Sequence, residues 1–285
     1  MTAAKDTSNI IAFQGALGAY SHMACQAKYP DMDVLACPSF EDAMEAVKDG
    51  LAELAMIPIE NSTAGRVADI HMLLPESGLY IIGEHFETIR HCLLAPHAAT
   101  SKTLKTVKSH VQALGQCRTS LRAIGLTPLP HADTAGSAKN VAEENDPAIA
   151  AVASRLAADV YDLKIIKADI QDQGHNTTRF VVLSRHPMNI KDLSGPVMTT
   201  FTFEVRNIPA ALYKALGGFA TNGVNMTRLE SYYDSDSFTA TEFFADIEGH
   251  KGMAEVDRAL EELRFHSKRV RMLGTYVQAR SRGIS

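Results

Sequence analysis

The residues best suited to chemistry gather where polar side chains meet the end of a β-branched run. Residues 174–185 read GHNTTRFVVLSR, so His175, Asn176, Thr177, Thr178 and Arg179 lead into Phe180-Val181-Val182-Leu183, a predicted buried strand. Hydroxyls and an amide can orient a polar substrate without adding charge, and a guanidinium can neutralise a carboxylate through its planar fork. A strand end is rigid enough to hold such groups in register. The competing reading is a plain polar loop entering a strand.

Similar polar clusters follow three other apolar runs. Gln14-Gly15-Ala16-Leu17-Gly18-Ala19-Tyr20-Ser21 follows Ile10-Ile11-Ala12-Phe13 and opens a helix. Its glycine spacing fits neither dinucleotide nor P-loop fingerprints, yet backbone N–H groups and the helix dipole favour an anion there. Ser21 is read equally well as the helix N-cap. Pro58-Ile59-Glu60-Asn61-Ser62-Thr63 follows Leu54-Ala55-Met56-Ile57, and Glu60 is an acid, a base or a cap for the next helix. Ser109-His110 ends a third run and leads into a predicted helix over 112–124 carrying Gln112, Gln116 and Cys117.

The rest of the composition narrows the function. At 285 residues the chain suits one large domain or two ordinary ones, and 46% apolar with 21% charged residues is a globular composition. A formal net charge of −5 argues against nucleic acid as the main partner. Lys268, Arg269, Arg271, Arg280 and Arg282 read as a solvated helix face and tail. The start, MTAAKDTSNI, has no signal-like apolar stretch, and no run approaches the roughly 18 apolar residues of a membrane span, so a cytoplasmic, non-membrane protein is expected. Cys25, Cys37, Cys92 and Cys117 are too dispersed for a zinc site or disulfide framework and are expected to be buried thiols.

The elements that must position these clusters alternate between strand and helix, which predicts an α/β sheet with ligands at the carboxyl ends of its strands. Ser39 with Asp42 opens a helix over 40–48 with a capping-box start. Strands are expected at 79–83, 88–95 and 148–153, and helices at 134–145 and 154–161. Residues 187–196 are polar, proline-flanked and linker-like. Beyond them, strand 198–205, helix 210–221, strand 226–232, a turn at 234–236, strand 239–247, helix 254–264 and strand 270–277 spell the split βαβ order, β-α-β-β-α-β.

Taken in order, the motifs Gly15–Ser21, Pro58–Ser62, Ser109-His110 with Gln116-Cys117, Ala150-Ala151-Val152-Ala153-Ser154 and Asn176–Phe180 resemble the prephenate dehydratases, whose signature is Thr-Arg-Phe. The resemblance covers nearly the whole chain. It implies an α/β catalytic domain at 8–186, two lobes around a cleft and similar to periplasmic binding proteins. Chain crossings between the lobes would fall near 83–94 and 165–172. A ferredoxin-like ACT regulatory domain would follow at 197–278. Many relatives carry a fused chorismate mutase; this chain begins a few residues before its first strand, so that activity is expected to be absent. The implied reaction turns prephenate into phenylpyruvate, carbon dioxide and water, with neither cofactor nor metal. Thr178 is the implied donor to the leaving hydroxyl, and Glu60 is the rival acid. Ser21, Asn61, Ser62, Ser109, Gln116, Thr177 and Arg179 are the implied substrate contacts, with Arg179 either neutralising a carboxylate or bridging the lobes. Arogenate, whose side chain bears an amine, is the alternative substrate; an amino-acid sensor without chemistry is the alternative class.

ACT domains of this family carry Gly-Ala-Leu and Glu-Ser-Arg-Pro stretches around bound phenylalanine. Here they read Ala210-Ala211-Leu212 and Glu230-Ser231-Tyr232-Tyr233, which keeps Ala-Leu and Glu-Ser and loses Gly, Arg and Pro. The implied allosteric contacts are Asn207, Ile208, Ala211, Leu212, Asn222, Gly223, Val224, Asn225 and Glu230. Sites of this kind are shared between protomers, which implies a homodimer or homotetramer.

Overall fold

Apolar runs close into strands wherever both of their faces can be covered, and the order of those runs sets the architecture. The computed structural model describes residues 7–232, 241–280 and 282; the expected turn at 234–236 and the first residues of the strand expected at 239–247 lie outside them. The chain opens β1 (Ile10–Gln14), α1 (Tyr20–Lys28), β2 (Asp33–Cys37), α2 (Phe40–Lys48), β3 (Leu54–Asn61) and β4 (Gly65–Arg66). It continues through α3 (Ala68–Glu76), β5 (Tyr80–Thr88), β6 (Cys92–Ala95), β7 (Thr106–Ser109), α4 (Val111–Gln116), α5 (Arg118–Ile124) and β8 (Thr127–Pro130). Next come α6 (Thr134–Glu144), β9 (Ile149–Ala153), α7 (Arg155–Val160), β10 (Lys164–Lys167) and β11 (Thr177–Ser184). A 3₁₀ turn, Ile190–Asp192, interrupts the linker-like stretch. The chain ends with β12 (Val197–Val205), α8 (Ala211–Thr221), β13 (Met226–Tyr232), β14 (Glu242–Glu248), α9 (Ala254–His266) and β15 (Ser267–Val277).

These elements form two compact units, Met1–Arg66 with Phe86–Phe180, and Val67–His85 with Val181–Ser285. In the first, β1 pairs in parallel with both β2 and β3. The capping box at Ser39 is complete: Asp42 N–H donates to the Ser39 hydroxyl and the Asp42 carboxylate accepts from Ser39 N–H. A second sheet has the order β10-β6-β9-β7-β8. Its central strands β6 and β9 are buried on both faces: Leu93, Ala95, Ala150 and Val152 join one apolar cluster, while Cys92, Leu94, Ala151 and Ala153 join the other. That is the period-two alternation of a sheet covered by helices on each side.

Several readings of local structure change. The helix expected over 112–124 is two helices, because Cys117 leaves helical geometry (φ −110°) and the Asp172 carboxylate accepts from Thr119 and Ser120 N–H at the start of α5. Ser21 is not an N-cap: α1 begins at Tyr20, and Ala19 caps it without a side-chain bond. β8 escapes a pattern search because it is a wholly exposed strand, TPLP, at a sheet edge where proline is tolerated.

In the second unit, β12, β13, β14 and β15 form an antiparallel sheet in the order β13-β14-β12-β15, and α8 and α9 complete the expected β-α-β-β-α-β topology. Phe201, Phe203, Phe219, Phe243 and Leu260 lie in its core. β15 also meets β5 in parallel at Gly274 and Ile81. A Cβ at Gly274 would overlap the Ile81 carbonyl, so only glycine permits this approach. Lys268, Arg269 and Arg271 lie on this strand rather than on a helix face, and they pair with Glu204, Glu242 and Glu76. Arg282 grips the fully buried Glu84 through two bonds of 3.0 and 2.6 Å. None of the described helices is long and apolar enough to cross a membrane.

Candidate active cleft

Two backbone amides set the orientation of three amide side chains in the first unit's cleft, those of Asn61, Asn176 and Gln116. Asn61, the last residue of β3, accepts at Oδ1 from Thr63 N–H (2.9 Å) and Ala64 N–H (2.8 Å). Backbone nitrogens can only donate, so the atom facing them must be oxygen. The Asn61 Nδ2 group therefore points the other way, donating to Asn176 Oδ1 (2.7 Å) and Thr178 Oγ1 (2.9 Å). With its oxygen facing Asn61, Asn176 presents Nδ2 to Gln116 Oε1 at 3.1 Å. His91 Nε2 lies 2.8 Å from the same oxygen, and Tyr20 Oη lies 2.7 Å from His91 Nδ1. One hydrogen-bonded chain thus runs Thr178–Asn61–Asn176–Gln116–His91–Tyr20.

The consequence for Thr178 is a direction. It is 9% exposed, and Oγ1 accepts a hydrogen bond from Asn61 Nδ2, so its own O–H hydrogen is available to donate elsewhere. Gln116 uses its oxygen inward. Among the described residues its amide nitrogen has no hydrogen-bond partner, and Gln116 lines a cleft of about 380 Å³ together with Asn176, Thr63, Ala64, Gln112, Gly115, Gln171, Asp172 and Gln173. A volume of that size suits a small organic ligand. None of these lining residues is lysine or arginine.

The expected site residues separate by the partners they bond. Thr178 and Gln116 belong to the hydrogen-bonded chain. Asn61 belongs to it too, but both its hydrogens and its oxygen are engaged within the chain, which makes it a holder of Thr178 instead of a free substrate contact. Ser62 and Thr177 lock the adjoining strand ends: each backbone amide donates across, Ser62 N to Thr177 O and Thr177 N to Ser62 Oγ, both at 2.9 Å. Glu60 and Arg179 pair with each other at 3.0 Å, the guanidinium side chain 2% exposed. That pair ties Arg179 on β11 to Glu60 on β3. Ser109 is fully buried and donates to Val152 O at 2.6 Å, so its proton holds β7 to β9. Ser21 is buried in the first turn of α1.

His91, Tyr20 and Asn176 are the residues that the motif search did not single out as contacts. Asn176 stands in the stretch richest in polar groups; His91 follows no polar cluster, and only its fold neighbours reveal it. Burial pushes the His91 ring below its ordinary pKa, with the Gln116 bond acting the other way, and burial raises the Tyr20 phenol well above its usual range. The loop that carries Tyr20 is itself anchored: Gly18 N–H donates to His22 Nδ1 (3.0 Å), Ser154 Oγ donates to Gly18 O and Tyr161 Oη to Leu17 O.

The candidate allosteric residues occupy the second unit. Asn207, Ile208, Ala211 and Leu212 stand at the start of α8, while Asn222, Gly223, Val224 and Asn225 stand past its end, about 15 Å away for an 11-residue helix. Asn222 is engaged by Arg258 (2.7 Å) and Glu262 (3.2 Å), and Asn225 by Glu248 (3.1 Å). Glu230 accepts from Arg228 Nε and Nη2, and the same Nη2 lies 2.9 Å from Nε2 of the buried His71 on α3. With Nδ1 facing the Val67 carbonyl, His71 donates there and accepts from Arg228.

The family described as prephenate dehydratase matches residues 11–188. A bifunctional N-acyl-homoserine lactone acylase/prephenate dehydratase from Komagataeibacter europaeus is 49% identical, over 94% of this chain and 95% of that protein. An arogenate dehydratase/prephenate dehydratase from Arabidopsis thaliana is 37% identical over 93% of this chain and 72% of its own length. Among solved structures, prephenate dehydratase from Arthrobacter aurescens in complex with L-Phe superposes with a TM-score of 0.87 at 29% identity, covering 97% of this chain and 93% of that one.

Proposed function

The chain belongs to the prephenate dehydratase family, and from that premise we propose that its cleft converts prephenate to phenylpyruvate with Thr178 as the donor to the departing hydroxyl. The ring carboxylate leaves as carbon dioxide, its electrons move through the ring, and the hydroxyl across the ring leaves as hydroxide, which takes a proton from solvent to become water, while the ring becomes aromatic. The observation that carries the reading is the bond from Asn61 Nδ2 to Thr178 Oγ1, which occupies one of the hydroxyl's two lone pairs and leaves its hydrogen as a donor. A threonine hydroxyl is a weak acid, and its neighbour in this chain is an amide, which orients but does not shuttle protons. Thr178 therefore stabilises the departing oxygen by a positioned hydrogen bond, an effect worth about 10²–10³ in rate for one such donor. Gln116 offers its amide nitrogen to a substrate oxygen from the cleft wall. Phenylpyruvate formation from prephenate is the test; no product from folded protein would overturn the reading.

Arogenate is the second reading, and Asp172 favours it. This carboxylate lines the cleft, where no lysine or arginine stands opposite, and arogenate carries an ammonium where prephenate carries a keto group. Two backbone amides of α5 already neutralise part of the Asp172 charge, which leaves prephenate the leading substrate. Comparing kcat/KM for the two substrates decides between them. The acylase activity in the name of the Komagataeibacter relative needs an activated nucleophile. The cysteines are buried, and Ser109 and Ser154 donate to backbone carbonyls, so none of these groups is offered as that nucleophile.

Residues 197–278 are proposed as an ACT domain that binds phenylalanine and inhibits turnover, in a cytoplasmic homodimer or homotetramer. The separation of the candidate contacts along α8 supports a site completed by a second protomer. Calorimetry with phenylalanine tests this separately from catalysis.

A further inference from the structure

We infer that His91 is a positioning residue for this reaction, acting through Gln116 to hold the Gln116 amide nitrogen toward the cleft. The inference rests on the dehydratase reading and follows from the direction of the hydrogen bonds. Asn176 Nδ2 already donates to Gln116 Oε1, and that orientation is fixed from the backbone of Thr63 and Ala64. His91 Nε2 meets the same oxygen at 2.8 Å, so it must carry a hydrogen. Only two protonation states satisfy this. In the neutral ring with hydrogen on Nε2, the Tyr20 hydroxyl donates to Nδ1. In the imidazolium, Nδ1–H donates to Tyr20 Oη and the phenol turns its hydrogen to Arg90 O, 2.9 Å away. The neutral tautomer with hydrogen on Nδ1 is excluded, because it would set the Nε2 lone pair against the Gln116 oxygen.

Without a donor at His91, one of the two inward bonds on Gln116 Oε1 is lost and the amide is freer to turn its oxygen into the cleft. An oxygen there would repel the oxygens of an anionic substrate. The imidazole itself is held by its backbone: His91 N–H donates to Gln171 Oε1 (2.9 Å) and His91 O accepts from Ile170 N–H (2.9 Å), with the residue 2% exposed. Both ring nitrogens of His91 are spent on Gln116 and Tyr20, which is why it positions and does not touch the reacting atoms.

The test combines kinetics with nitrogen NMR. His91→Leu is expected to lower kcat/KM for prephenate by roughly 10²-fold, the order expected when a substrate contact is misplaced by about 1 Å. His91→Gln, which returns an N–H near the Nε2 position, should recover most of that loss. On a Gln116→Leu background, His91→Leu should cost little more. In ¹⁵N-histidine-labelled wild-type protein, His91 Nε2 should be protonated throughout about pH 5–8, where free histidine titrates. An unprotonated Nε2, a folded His91→Leu enzyme within about twofold of wild type, fully additive losses or no recovery in His91→Gln would each overturn the inference. If His91→Leu fails to fold, the wild-type NMR measurement and His91→Gln still decide. Wild-type protein inactive on both prephenate and arogenate would sink the dehydratase reading instead, leaving the tautomer result intact.

Discussion

Asn61 decides which way the Thr178 hydroxyl points. Replacing it by aspartate preserves the oxygen that accepts from Thr63 and Ala64 and substitutes a pure acceptor for the Nδ2 donor. The Thr178 hydrogen would then turn to that acceptor and away from the substrate. Asn61→Asp is expected to lower kcat by about 10²–10³-fold, comparable to loss of the hydroxyl itself, with the fold retained by circular dichroism. A kcat near wild type would mean that the Asn61 bond does not direct Thr178. At this scale the sequence placed Thr178 and Asn61 in polar stretches at strand ends, and the roles of these two and of Gln116 were implied by the family resemblance. It did not announce His91, whose partner Gln116 lies 25 positions away, or the pairing of Glu60 with Arg179 across 119 positions. Side-chain partnership across strands depends on register, and a single sequence does not display register.

Among the elements, the loop between β1 and α1 depends on Gly18. Its φ is +83°, and an added Cβ would come 2.7 Å from the Ala157 Cα, a backbone atom that cannot swing aside. Gly18→Ala should therefore cost about 1–3 kcal/mol in denaturant unfolding and should lower kcat/KM, because Tyr20 follows directly on this loop. Unchanged stability and kinetics would show that the loop does not need this approach. Apolar runs such as β1, β3, β9 and β11 were legible because strands buried on both faces read as continuous hydrophobic stretches. β2 and β8 were not, since an exposed edge strand needs no apolar pattern, and the break between α4 and α5 comes from Asp172, 55 positions beyond Cys117.

At the scale of the molecule, buried histidines set an acid limit. Burial lowers the pKa of His22 and His91 from the ordinary 6.5, so the unfolded chain takes up protons first as pH falls. Their contribution to stability is complete above about pH 6.5 and is lost as pH drops through the depressed folded values. Thermal midpoints should thus decline from pH 7 to pH 5, and the decline should be smaller in His91→Gln; a midpoint that rises on acidification would contradict the assignment. The β-α-β-β-α-β order of residues 197–278 was legible in full outside the stretch that is not described, because its amphipathic elements are short and evenly spaced. The compact units were not legible, since α3 and the start of β5 group with the C-terminal sheet through contacts such as His71 with Arg228, 157 positions apart.

The most direct test of the whole account is steady-state turnover of prephenate by Thr178→Val, which keeps the shape of the side chain and removes its hydrogen-bonding hydroxyl. The account predicts a folded enzyme with KM close to wild type and kcat lower by about 10²–10³-fold. A folded Thr178→Val enzyme whose kcat stays within about twofold of wild type would contradict it.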